Sequence, residues 1–80
     1  MRPKERIGKD LRIFEENIIE VEEIDLTEKE LLVKDMAKRY YEDTKYYFKI
    51  DDELTSFACI AYAHGLLDSI RIMYDLIDDS

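Results

Sequence analysis

The apolar positions of this 80-residue chain form three long stripes with a period between three and four residues. In the first, Ile7, Leu11, Phe14, Ile18 and Val21 recur at alternating intervals of four and three. That spacing lines one face of an α-helix. Pro3 suits the first turn of such a helix, where its missing N–H is not needed. The stripe predicts a first helix over residues 3–24, with Gly8 weakening its opening turns so that order begins nearer Lys9.

Thr27 followed by Glu30 is a capping box: each residue's side chain can bond the other's backbone N–H. It predicts a second helix over residues 28–49, carrying Leu32, Val33, Met36, Ala37, Tyr40, Tyr41, Thr44, Tyr47 and Phe48. Asp51 and Asp52 are suited to cap a third helix, with Glu53 in its first turn. This helix is predicted over 52–76, with a frayed end where Asp75, Asp78 and Asp79 carry the wrong sign for a helix C-terminus. Helices of about 20–24 residues are roughly 30–36 Å long. Equal lengths joined by short loops favour antiparallel neighbours. The fold expected is therefore all-α, an antiparallel up-down-up three-helix bundle in one domain over residues 1–80.

A hairpin turning at Asp51 sets Tyr47 against Leu54, Thr44 against Ala58, Tyr40 against Ala61 and Ala37 against Gly65. Large groups on one helix would then meet small groups on the other. On this register Gly65→Leu should force the helices apart and lower the melting temperature. The third helix is apolar over most of its circumference, more than two neighbours can cover. The surplus predicts an exposed interface strip on the flank of Cys59, Tyr62, Leu66, Ile70, Met73 and Ile77.

Charge narrows the partners. Twenty acidic residues against twelve basic ones leave a net charge of −8. That repels phosphate backbones and anionic lipid, so neither nucleic acid nor membrane is the expected partner. The charge is also blocked: Arg2, Lys4, Arg6, Lys9 and Arg12 cluster at the start, while residues 15–30 hold only Lys29 among the acids. The expected partner is another protein or the chain itself, the latter making a homo-oligomer. Cys59 is the sole cysteine, so no intrachain disulfide can form and a reducing, cytoplasmic setting is expected. The opening twelve residues are charged throughout, unlike a signal peptide. The apolar run from Phe57 to Ala63 is too short for a membrane span. A single Asn, no Gln and 40% charged residues lean toward a thermophile.

One ionisable stripe interrupts the third helix. His64, Asp68, Arg71 and Asp75 follow at intervals of four, three and four and share a face. A His beside an Asp can act as a base, and an Arg can clamp an anion. Tyr62 lies beside them, so Tyr62, His64, Asp68 and Arg71 form the candidate binding set. The plainer reading is a solvated face laced by Asp68–Arg71 and Arg71–Asp75 pairs. No metal or cofactor is expected. A di-iron bundle wants Glu three residues before His, and position 61 is Ala. Zinc needs several His or Cys ligands, and the chain has one of each. No calcium-loop pattern or phosphate-binding glycine loop is present. Cys59 sits in an apolar run that would keep its thiol protonated. No catalytic residue is assigned, and the chain reads as a non-enzymatic interaction or self-association module. Small-molecule binding or accessory catalysis at the stripe is the alternative.

Met36-Ala37, Tyr40-Tyr41, Asp43, Phe48, Asp52, Phe57-Ala58 and the run Tyr62-Ala63-His64-Gly65 with Leu67-Asp68 resemble the short archaeal domain-of-unknown-function family numbered three hundred and fifty-seven. The resemblance covers the second and third helices, and the first matches in character alone. It implies a compact helical, cytoplasmic archaeal protein, and it brings no activity with it. Ile50 departs from the glycine expected in the turn before the acidic cap, which disfavours a left-handed residue there.

Overall fold

The computed structural model describes residues 2–77. Three helices account for nearly all of them: α1 (Pro3–Glu22), α2 (Glu28–Lys49) and α3 (Glu53–Met73). They run up, down and up, and no strand occurs among the described residues. This is the all-α three-helix bundle that the three stripes imply.

The helix starts follow their capping chemistry. The capping box is complete, with Glu30 N–H donating to Thr27 Oγ1 at 3.2 Å and Thr27 N–H to Glu30 Oε1 at 3.0 Å. Asp52 caps α3 by accepting from the Thr55 N–H at 3.2 Å. α1 has no side-chain cap, yet it starts at Pro3 and runs through Gly8. The expected delay to Lys9 is not seen, because a proline in the first turn offsets the glycine's entropy.

The helix ends depart from expectation. α1 stops at Glu22 and α3 at Met73, short of the anticipated Ile24 and Leu76. The α2–α3 turn and the end of α3 are closed by the same device. Asp51 and Asp75 take left-handed conformations, with φ of 63° and 60°. Asp51 N–H donates to the Phe48 carbonyl and Asp52 N–H to that of Tyr47, while Asp75 N–H bonds Ile72 and Leu76 N–H bonds Arg71. Each set is a Schellman motif, which satisfies carbonyls the helix leaves open. The left-handed residue of the turn is thus Asp51, and Ile50, with φ of −93°, is not left-handed. The end of α3 is stapled rather than frayed. Asp78 and Asp79 lie outside the described residues. A left-handed aspartate is still costlier than glycine, and Asp75 adds negative charge to a helix C-terminus. Asp75→Gly should therefore stabilise the fold by about 1 kcal/mol. Melting should rise by roughly 4–8 °C, and an unchanged melting temperature would remove the strain argument.

α3 is the middle helix. α1 and α2 lie along its two sides and meet each other only sparingly, so the molecule is a slab of 36 × 27 × 17 Å. The core joins Phe14, Val21, Leu26, Ala37, Ile60, Ala63, Leu67 and Ile70. Ile7 is fully buried as well. α1 therefore buries the face its stripe predicted. Leu26, just before the α2 cap, folds back into the core, as an apolar residue there often does.

The pairing of α2 with α3 holds, but the face of α3 does not. Ser56, Ile60, Ala63, Leu67 and Ile70 point inward. Ala58, Ala61 and Gly65 are exposed, and Leu54 is 83% exposed. The expected pairs Tyr47–Leu54, Thr44–Ala58, Tyr40–Ala61 and Ala37–Gly65 are therefore corrected. The Thr44 carbonyl instead accepts from Ser56 Oγ at 2.9 Å, and Tyr40 lies against Tyr62 with ring centroids 4.6 Å apart. The physical reason is area. Burying Ile60, Leu67 and Ile70 removes far more apolar surface from water than burying two alanines and a glycine. The single polar group this face carries inward, Ser56, is satisfied. A Cβ at Gly65 would meet nothing within 4 Å. Gly65→Leu is therefore not expected to force α2 and α3 apart.

Candidate functional site

The ionisable stripe is divided by its neighbours. His64 turns toward α1, where its Nε2 donates to the Asp10 carbonyl at 2.8 Å. Its ring stands edge-on to Phe14 at 5.8 Å. A carbonyl can only accept, so the proton sits on Nε2. His64 is thus bonded to α1 backbone, and Asp68 is bonded elsewhere. Arg71 Nη1 donates to Asp68 Oδ1 at 2.9 Å, and its Nη2 lies 3.8 Å from Glu20 Oε1 on α1. The expected Asp68–Arg71 pair is present. The expected Arg71–Asp75 pair is absent among the described residues, because Asp75 has left the helix for its left-handed turn. Arg71 is only 14% exposed, and its Nε is buried with no hydrogen-bond partner among the described residues. The stripe therefore works mainly as the seam between α1 and α3. Among the described residues, no three His, Cys, Asp or Glu side chains group to hold a metal ion.

The predicted interface flank is also divided. Tyr62 and Met73 are exposed, at 51% and 56%, and Cys59 and Leu66 are half-buried. Ile70 is wholly buried in the core and is not available to a partner. It faces inward because it follows Ala63 and Leu67 at helical spacing. Burial and the nearby Asp43 and Asp52 carboxylates push the Cys59 thiol above its ordinary value, so it stays protonated and unreactive at neutral pH.

The outer face of α3 is exposed, and it includes Leu54, Ala58, Ala61 and Gly65, which the expected register placed against α2. Leu54, Phe57, Ala58, Ala61, Gly65 and Ile72 follow one another at helical spacing along it. Phe57 is 40% exposed and Ile72 45%. No charged residue falls on this line from Leu54 to Gly65. A cleft of about 450 Å³ opens at its lower end, lined by Pro3, Arg6, Glu53, Leu54 and Phe57. The Arg6 guanidinium lies over the Phe57 ring at 5.9 Å. One sequence signal pointed outward: a mid-helix glycine costs about 1 kcal/mol against alanine, and no contact inside the fold requires Gly65.

Elsewhere the surface is held by cross-helix polar pairs. Lys34 and Lys38 grip Glu22 at 3.1 and 3.2 Å and hold its carboxyl below the usual range. Lys4 pairs with Asp51, and Tyr74 donates to Glu30. Tyr41 stacks on Phe14 at 4.8 Å and donates to Glu15. Burial, then that carboxylate, push the Tyr41 hydroxyl from 10.0 up to about 12. A group whose folded value is raised supports the fold while protonated and loses that support as pH climbs. Stability should therefore fall between pH 10.0 and about 12. Phenolate absorbance should show Tyr41 lagging behind the bulk of the six tyrosines. If all six titrate together, the Tyr41–Glu15 contact does not form.

Fold and surface together define a small all-α domain with a closed polar seam and an open apolar ridge. Residues 9–76 match the model of the family described as "Protein of unknown function (DUF357)". The chain belongs to that family. The match reaches well into α1, beyond the Met36–Asp68 stretch that carried the resemblance. A search of curated proteins found no match.

Proposed function

We propose that this protein is a non-enzymatic interaction module that offers the outer face of α3 to a protein partner. One observation carries the reading. The most apolar helix leaves an uncharged line from Leu54 to Gly65 outside the core, with Leu54 83% exposed. Apolar ridges of this kind mark interaction surfaces on soluble proteins. The lone, protonated Cys59 and the acidic surface suit a reducing, cytoplasmic setting. No helix among the described residues is long and apolar enough to cross a membrane.

Ala61→Glu tests the reading, because it plants a charge at the middle of the ridge without touching the core. Binding of an apolar fluorescent dye by the dilute protein should fall, while dye binding by Leu32→Glu, a change at a separate exposed position on α2, should not. A wild type that binds no dye and no partner would overturn the proposal, as would an Ala61→Glu variant that behaves like wild type. Small-molecule binding at His64, Asp68 and Arg71 has one observation in its favour, the buried Arg71 Nε, which finds no hydrogen-bond partner among the described residues. Against it, the other groups of that stripe are already bonded to one another or to α1.

A further inference from the structure

We propose that the partner is a second copy of this chain, docked with α3 antiparallel to α3 across a two-fold axis at Ala61. This deepens the reading of the ridge as an interaction surface and rests on it. Three observations select a second copy.

The first is steric self-complementarity. A two-fold contact is isologous, so whatever one copy projects the same surface must receive. With Ala61 on the axis, Phe57 of each copy lies over Gly65 of the other, since the two stand four residues either side of Ala61. Phe57 is the bulky ring on the ridge and Gly65 its one gap, open to solvent with nothing within 4 Å. Ala58 and Ala61 between them let the backbones approach to about 8 Å, the near end of helix packing. On the same register Ile72 of each copy falls opposite the exposed Ile50 of the other, and Leu54 falls opposite position 68, at the polar edge of the contact.

Charge supplies the second. An antiparallel two-fold keeps the α1 sides of both copies on the same side of the contact. Arg6 stands beside Phe57 on that side, 61% exposed, with only a stretched 3.9 Å pairing to Asp10. Asp68 stands three residues beyond Gly65 on the same side, 41% exposed. The docking that seats Phe57 on Gly65 therefore brings Arg6 of one copy toward Asp68 of the other, twice by symmetry. A parallel arrangement sets Phe57 against Phe57 and loses both matches.

The third is area. Because α1 and α2 flank α3 and hardly meet, the ridge runs down the middle of a broad face of 36 × 27 Å, about 970 Å² in projection. A standard interface takes roughly 800 Å² from each partner. The face is large enough for a stable dimer once the flanks join α3.

The test uses the full chain. Sedimentation equilibrium should give twice the 9.6 kDa chain mass at high concentration and the single mass on dilution. Gly65→Leu should stay monomeric throughout while keeping its helical circular dichroism, since the new side chain meets nothing in its own fold. In a Cys59→Ser background, Ala61→Cys should cross-link to itself under mild oxidation. Leu54→Cys should not, because antiparallel copies place those positions roughly 21 Å apart along the helices. A wild type that stays monomeric overturns the inference. If Ala61→Glu still abolishes dye binding in that case, the wider reading of the ridge stands. A Gly65→Leu dimer, or cross-linking through Leu54→Cys in place of Ala61→Cys, overturns the proposed docking.

Discussion

Replacing Phe14 with alanine should cost about 3–5 kcal/mol, the range for deleting a buried aromatic ring. Phe14 is 1% exposed and is where α1 grips both other helices. Its ring lies flat on Tyr41 of α2, 13° from parallel, and edge-on to His64 of α3. Such aromatic pairs add about 0.5–1.5 kcal/mol beyond the area they bury. α1 and α2 meet sparingly, and the polar pairs that also join them, Glu22 with Lys34 and Lys38 and Glu15 with Tyr41, lie at the surface, where they contribute little. A domain of this size has roughly 3–5 kcal/mol of net stability in all. Phe14→Ala should therefore release α1 or unfold the chain outright. Urea unfolding would show the loss, and hydrogen exchange would show α1 amides opening first. Phe14→Leu, which keeps most of the volume, should cost much less. A loss under about 1 kcal/mol for the alanine variant would mean that α1 is secured elsewhere.

The parts of this fold that were legible in the sequence are those where one signal had no rival. The α1 stripe alternates apolar with charged residues, so its period names a single face, and Ile7, Phe14 and Val21 are buried on it. Thr27 with Glu30 marks a helix start that chemistry reads almost without context. α3 carries no such contrast. Nearly every direction from it is apolar, so the period is silent and the inward face is chosen by buried area. The ionisable stripe was legible as a shared face but not as a seam, because spacing along one helix says nothing of which helix lies opposite. His64 and Arg71 find Asp10 and Glu20 on α1, far away in sequence. Asp51 and Asp75 were hidden for another reason. Aspartate near a helix end usually signals a start, and here both residues sit in the left-handed position that closes an end. The exposed ridge was foreseen as a surplus of apolar positions, but its residues were not. Four of them, Leu54, Ala58, Ala61 and Gly65, were assigned to the inside.

Ile60→Ala set against Leu54→Ala decides which face of α3 is the core. Ile60 is fully buried and belongs to the central cluster. Truncating it should cost about 2–5 kcal/mol, combining the lost transfer energy with the cavity left behind. Leu54 is 83% exposed, so its loss should change the stability of the dilute chain by less than about 0.5 kcal/mol. Dilution matters, because a contact made by the ridge would add concentration-dependent stability to the wild type. The two residues are six apart on the same helix and have similar volume. The contrast therefore separates orientation from side-chain size. If Leu54→Ala proved as costly as Ile60→Ala, the tyrosine face of α2 would be resting on Leu54, Ala58 and Ala61 after all. Ala58, Ala61 and Gly65 would then be interior, and the ridge proposed to meet a partner would not be on the surface. If the costs separate as expected, the helix has given Ile60, Leu67 and Ile70 to the core and left Ala58, Ala61 and Gly65 outside. That division leaves a surface on which a second helix backbone can lie close.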